Sequence, residues 1–302
     1  MKHFKKLLAV VLTFVFVVTA FAVETPTAVY AATTESLTMY VGETFSYSLY
    51  TTTITKVTSS DKTIVKASKD SDLKFALDLT AKKKGTATIT IKYKDIKGKS
   101  QSTKLKVTVK KASITCKAEP LADGYVLFTL NNKTKQTFDR AYIKYDLKDS
   151  NGETMKSEED VYVTDLVAGK TAYYEVYVGK DKDIDYSASK VSVTALTHDP
   201  NYTYTVCTSK NIKIVATNET EDEKKVTFTI KQKNATSQTL DGKYYILIYD
   251  ADDNIIGMDD SSIYLSKKET KTNSYETSIY KSTYPTYDHY KIVINAYYMK
   301  KK

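Results

Sequence analysis

An all-β chain of three tandem sandwich modules, set behind a leader peptide removed on export, is the fold class this sequence predicts. Three observations carry the expectation. Strict two-residue alternation of apolar and polar residues recurs along the chain while helical periodicity is missing. The composition favours pleated, half-buried surfaces, with 26 tyrosines and no tryptophan beside abundant valine, isoleucine and threonine. Beyond residue 111 the chain repeats itself at a period of roughly 100 residues, the size of one sandwich and too long for a solenoid unit.

The leader comes first. Lys2, Lys5 and Lys6 precede an apolar run from Leu7 to Ala22, the charged-then-apolar pattern of a secretory signal. Val29-Tyr30-Ala31 presents small residues where a signal peptidase reads, so residues 1–31 are expected to be removed, with Ala20-Phe21-Ala22 as a workable earlier site. The run is short for a transmembrane helix and no second one follows, so no membrane span is expected in the mature chain. No cysteine follows the leader to take a lipid, and the closing Tyr297 to Lys302 carries no hydrophobic tail or sorting signal. The expectation is a protein secreted, or held at the cell surface without a covalent bond.

Charge narrows the partners. The full chain carries +9, and loss of Lys2, Lys5, Lys6 and Glu24 leaves +7. Nearly all of that positive charge is lysine, Arg140 being the only arginine. Lysine lacks the forked geometry used to read phosphates and bases, so nucleic acid is not an expected partner. Attraction to an anionic wall polymer is one use of the charge; a soluble surface is the plainer one.

The first module, residues 32–110, shows its strands directly. From Thr86 to Tyr93, Ala87, Ile89, Ile91 and Tyr93 share one face and Thr88, Thr90 and Lys92 the other. Thr103 to Lys110 repeats the pattern with Leu105, Val107 and Val109 inward, and Lys110-Lys111-Ala112 breaks it. The remaining chain divides into 111–201 and 202–302. Phe128-Thr129-Leu130 recurs as Phe228-Thr229-Ile230, Asn132 to Asp139 as Asn234 to Asp241, and Lys190 to Ala195 as Lys291 to Ala296. Ile143, Tyr145 and Leu147 define one face of a strand, with Tyr244, Ile246 and Ile248 at the equivalent places and Asp149 and Asp250 opening the turns that follow. The segment Tyr202 to Cys207 fits either neighbour.

Residues 36–110 resemble the bacterial group 2 immunoglobulin-like domain, through Leu37 to Thr44, Ser59-Ser60-Asp61-Lys62-Thr63-Ile64-Val65 and Gly85 to Thr90. Val57 stands where that family usually has tryptophan. The repeated module is similar to the FxLYD type of immunoglobulin-like domain, carried by Tyr145-Asp146-Leu147-Lys148-Asp149 and, less faithfully at its first position, Ile246-Leu247-Ile248-Tyr249-Asp250. These resemblances imply three immunoglobulin-like sandwiches with spacing, adhesion or ligand-binding roles outside the cell, and no catalysis. A Gram-positive source fits the set.

The residues themselves offer little chemistry. After the leader only His198 and His289 remain, at unmatched repeat positions, and two histidines assemble neither a triad nor a zinc site. Cys116 and Cys207 lie at the two ends of the first repeat, and an oxidising location favours a disulfide between them; the rival is two buried thiols. Asp250-Ala251-Asp252-Asp253-Asn254 has a calcium loop's oxygen spacing, but Ile255 and Ser261 stand where glycine and glutamate are needed, and a turn is expected there. Asp259 and Asp260 nearby are the remaining candidate calcium ligands. Glu158, Glu159 and Asp160 read as a solvated acidic stretch rather than a glycosidase pair. The Asn-x-Thr segments beginning at Asn132, Asn201, Asn218 and Asn234 are read as turn chemistry. No cofactor, metal or catalytic residue is expected.

Tyr280, Tyr284, Tyr287 and Tyr290 crowd the last module, where exposed rings would stack on sugars or anchor a protein; packing across strands is the alternative. The expected function is therefore a non-catalytic surface or matrix protein whose modules serve spacing, adhesion or interaction. The other reading is a carbohydrate or cell-wall binding module that uses those tyrosines. The expected partners are a cell-wall polymer, a carbohydrate or a surface protein.

Overall fold

The computed structural model describes residues 34–301 apart from 51, 181–182, 200 and 274–275; the expected leader and its cleavage sites lie outside the described residues. The protein is all-β, in three sandwiches, and the helical content of the described residues is a single 3-10 turn at Ala122–Gly124. The first sandwich contains β1 (Thr34–Tyr40), β2 (Thr44–Ser48), β3 (Thr53–Ser59), β4 (Val65–Lys69), β5 (Ala76–Ala81), β6 (Gly85–Lys94) and β7 (Ser100–Lys110). One sheet runs β1-β7-β6-β3 and the other β2-β5-β4. The alternation read from sequence is what closes this core: Ala87, Ile89 and Ile91 of β6 and Leu105, Val107 and Val109 of β7 are buried with Leu77 and Leu79 of β5. Each fully buried Leu or Ile contributes roughly 1.5–3 kcal/mol relative to exposure. Strand β1 joins parallel to β7, with Leu37 opposite Val107.

The second sandwich is built from β8 (Ile114–Pro120), β9 (Tyr125–Asn132), β10 (Phe138–Asp149), β11 (Thr154–Leu166), β12 (Thr171–Tyr177) and β13 (Ile184–Thr197), as sheets β12-β9-β8 and β11-β10-β13. The third uses β14 (Tyr202–Val206), β15 (Ile212–Glu221), β16 (Lys225–Asn234), β17 (Leu240–Tyr249), β18 (Ile255–Leu265), β19 (Thr270–Thr272), β20 (Thr277–Tyr280) and β21 (His289–Lys301). Its sheets are β14-β21-β17-β18 and β15-β16-β19, with β20 also on β16. Strand for strand the second copy reproduces the first, with β12 split into β19 and β20 and β14 added at the edge. The open question about Tyr202 to Cys207 is settled by pairing. β14 adds to the edge of β21, Tyr204 opposite Met299, and the Cys207 N–H donates to the Ala296 carbonyl at 2.8 Å.

Both copies are pinned by one buried asparagine at the same place. Asn132 donates through Nδ2 to the carbonyls of Gln136 (2.8 Å) and Leu166 (2.9 Å), and its Oδ1 accepts from the Thr134 amide and hydroxyl. Asn234 does the same with Gln238 (2.8 Å), Ser266 (2.8 Å) and Thr236. A buried side chain that satisfies this many backbone groups ties the β9–β10 and β16–β17 connections to the opposite strand. The hairpin turns match too: Asp149 Oδ1 accepts from the Asn151 and Glu153 amides, and Asp250 Oδ1 from those of Asp252 and Asn254.

The disulfide expected between Cys116 and Cys207 is absent, and both are free thiols. Cys116, on β8, packs on the second core, whereas Cys207 is buried in the third. Because β14 belongs to the third sandwich, the two cysteines do not bracket one module. Burial pushes both thiols up, to about 12 for Cys116 and about 11 for Cys207.

The two copies are also packed onto one another. Tyr244, Ile246 and Ile248 of β17 point into the third core, while Tyr245 and Leu247 on its other face, with Met258 of β18, are buried in the cluster of the second sandwich. There Tyr245 meets Tyr173 of β12 edge-on at 5.1 Å between ring centroids. At one end of the joint, Asn295 donates to the Thr171 carbonyl (2.7 Å), Tyr297 to Asp165 (2.8 Å) and Tyr204 to Asp139 (2.9 Å).

Candidate functional site

The residues singled out from sequence are dispersed by the fold. His198 closes the joint between the first and second sandwiches. Its Nδ1 contacts the Glu43 carboxylate, which is 1 % exposed and also accepts from the Tyr40 amide at 2.8 Å. Gly42 at φ +86° turns the chain there, and a Cβ would meet the Thr194 carbonyl of β13 at 2.8 Å. Tyr40 and Phe138 pack edge-on at 5.1 Å beside the pair. Burial raises the Glu43 pKa, opposed by His198 and by the Tyr40 and His198 amides. Val41-Gly42-Glu43 is both the turn between β1 and β2 and the joint, and the sequence signal was a glutamate in a turn whose partner lies 155 residues away.

His289 stacks on Tyr249 at 4.9 Å and contacts Asp288 and Asp253, so the two histidines are in different sandwiches and neither faces a nucleophile. The acidic hairpin is closed on itself, with Asp250 bonding its own turn and Asp253 held by Lys291 at 3.0 Å. Asp260 is paired with Lys243 at 2.8 Å. Among the described residues no group of three or more His, Cys, Asp or Glu side chains is placed to hold a metal ion. Glu158 sits opposite Tyr145 on β11, and the side chains of Glu159 and Asp160 lie outside the described residues.

The four terminal tyrosines do not form one surface. Tyr290 stacks flat on buried Phe228 at 4.6 Å and donates to Glu219 at 2.6 Å. Tyr284 and Tyr287 pack against the same third core, Tyr284 filling the space left by Gly257, where a Cβ would meet its ring at 2.2 Å. Of the four, only Tyr280 is exposed, at 53 %. The strand-packing reading thus describes three of them.

Two other places carry more chemistry. At the joint of the second and third sandwiches, a cavity of about 210 Å³ is lined by Asp123, Tyr125, Glu175, Gly257 and Tyr284 among others. Burial, then the nearby Asp259 and Asp260, push the Glu175 carboxyl up to about 7. On the outer face of the β11-β10-β13 sheet, Tyr142 and Tyr162 stand opposite each other across the strands, ring centroids 6.0 Å apart and tilted by 54°. Tyr162 is half exposed, and the Arg140 guanidinium lies 5.1 Å from its ring centroid. The neighbouring Tyr142 side chain raises the Arg140 pKa. The signal for this set was in the sequence: the chain's only arginine stands two residues from a tyrosine on a strand whose core face is fixed.

No family model and no curated protein matches this chain. Among solved structures, it is similar to SGBP-B of the Bacteroides ovatus mixed-linkage glucan utilization locus, solved in complex with a mixed-linkage heptasaccharide. The match covers 93 % of this chain and 98 % of that chain at 10 % identity, with a TM-score of 0.20, too low to bear on fold or ligand.

Proposed function

We propose that this is an exported, non-catalytic surface or matrix protein whose three immunoglobulin-like modules hold a binding face at a set distance from the place where the chain is retained. The observation that supports this reading is the burial of Tyr245, Leu247 and Met258 of the third sandwich in the cluster of the second. A duplicated module whose second copy turns an extra apolar face onto the first loses the freedom of a flexible tether, and fixed geometry is what a spacer requires. The dispersal of the histidines, each engaged by a carboxylate, fits the absence of catalysis.

The test is genetic and mechanical. A strain lacking the protein should lose surface attachment or cell-to-cell aggregation, and the wild-type gene should restore it. A Leu247→Asp variant, exported in equal amount and undocked at the joint, should not. Full restoration by that variant would sink the spacing role.

A further inference from the structure

We propose that the outer face of the β11-β10-β13 sheet, at Arg140, Tyr142 and Tyr162, is a binding site for a polysaccharide bearing oxyanion groups. The fold does not require these residues. In the third sandwich, where β17 and β18 pair as β10 and β11 do, the cross-strand pair matching Tyr142 and Tyr162 is Lys243 and Ser262, and the sheet forms without any aromatic there. The tyrosine pair and the arginine are thus additions particular to the second module, on a face pointing away from its core, where Ala141, Ile143 and Tyr145 are buried instead.

The chemistry of the three side chains converges on one class of ligand. Two tilted rings offer apolar faces with polar tips, onto which the C–H face of a pyranose packs while its hydroxyls reach the tyrosine O–H groups. Arg140 supplies the charge. Among 45 lysines and arginines it is the one residue with a planar fork that bonds a carboxylate or phosphate through two N–H groups. The Tyr162 ring, 5.1 Å from the guanidinium, restrains that fork before a ligand arrives, which lowers the ordering cost of binding.

Another protein module is the less suitable occupant. The face that docks on a neighbour in the third sandwich does so with Tyr245 and Leu247, and the matching residues of β10 are Lys144 and Asp146. A second copy of this chain would have to bury those charges.

The test uses the full mature chain and titration calorimetry at low salt with three polysaccharides: polygalacturonate for carboxylate, a phosphomannan for phosphate, and a neutral β-glucan. Binding to at least one acidic polymer is expected, with little to the neutral one, and which acidic polymer binds identifies the oxyanion. Tyr162→Ala should weaken binding about tenfold, and Arg140→Lys, which keeps the charge and removes the fork, about fivefold. Tyr264→Ala, at an equally exposed tyrosine of the third module, should leave it unchanged. All three positions are at the surface, so unaltered melting temperatures are expected. The proposal is overturned by no binding to either acidic polymer, by equal affinity for the neutral glucan, or by unchanged affinity in Tyr162→Ala or Arg140→Lys; unchanged affinity would mean diffuse attraction to lysines. The site stands apart from the spacing role: its failure would leave undocking by Leu247→Asp, and that test, untouched.

Discussion

Strands β10 and β17 occupy the same place in two copies of one module, and they differ on one face only. Inward, Ile143, Tyr145 and Leu147 match Tyr244, Ile246 and Ile248, all buried. Outward, β10 carries Lys144, Asp146 and Lys148, whereas β17 carries Tyr245, Leu247 and Tyr249. The first strand is solvated on that face; the second buries it in the cluster of the preceding module, with Tyr245 against Tyr173 of β12. Alternation reports the core that a strand helps to build, and a run that stops alternating reports a second neighbour. The outer face of β17, with Met258 of β18, supplies the apolar part of the joint between the two copies, and Asn295, Tyr297 and Tyr204 bond across its end.

The sharpest way to break the comparison is to exchange those faces. Leu247→Asp gives β17 the residue of β10 and places a carboxylate in the joint; it should cost more than the about 2–5 kcal/mol typical of a buried leucine cut to alanine. The reciprocal Asp146→Leu sits on a solvated face and should stay within about 0.5 kcal/mol. Urea unfolding followed by tyrosine fluorescence reads both. Equal effects would mean that the joint contributes nothing to stability.

Where the copies agree, they should respond alike. Asn132→Ala and Asn234→Ala each strip the buried amide's bonds from two carbonyls, buried at Leu166 and partly buried at Gln136, Gln238 and Ser266, and each should destabilise by about 1–3 kcal/mol. A difference between them larger than the joint's own contribution would show that the two turns are not equivalent in energy, although they are in geometry.

These pairs also show what could be read from the chain alone. The inner faces of β6, β7, β10 and β17 were legible because a buried face imposes a two-residue period, and the turns at Asp149 and Asp250 because an Asx turn is local. What escaped were contacts with no local signature. The Glu43–His198 joint spans 155 residues, and its glutamate sits in an ordinary turn motif. The docked face of β17 was visible as Tyr-Tyr-Ile-Leu-Ile-Tyr, but a continuous apolar run names no partner. The terminal tyrosines stayed between two readings for the converse reason: Gly257 and Phe228, which accommodate Tyr284 and Tyr290, are distant in sequence.

Glu175 sharpens the comparison through pH. In the second copy the register puts Ser278 at the matching position, opposite Thr227 as Glu175 is opposite Leu127, and the nearby Glu276 is exposed, while Glu175 lines the joint and titrates near 7. A carboxyl whose pKa is raised by folding stabilises the folded state below its unfolded value near 4.5, and that contribution is lost as pH rises through about 7. The wild type should therefore weaken between pH 4.5 and 7.5. Glu175→Gln should remove this loss and be more stable at pH 8 by about 1–2 kcal/mol, a figure reduced for the solvent that still reaches the group. Glu276→Gln should show no such gain. Identical pH profiles for Glu175→Gln and wild type would place the carboxyl in water and the joint open.

The smallest effect concerns the cysteines. Cys116 lies opposite Leu130, and the residue of the second copy opposite Ile230 is Ala216, so the position asks for a small apolar side chain and not for a bond. Cys207 follows β14, a strand that the first copy lacks. Reductant should therefore leave the melting temperature unchanged, since no cross-link constrains the unfolded chain. At pH 8 roughly one Cys116 thiol in ten thousand is thiolate, given a pKa of about 12, so iodoacetamide should modify the folded protein slowly. In urea without reductant it should add two labels per chain by intact mass. No labels under those conditions, with two after reduction, would mean that the sulfurs are bonded and that β14 does not pair with β21 as described.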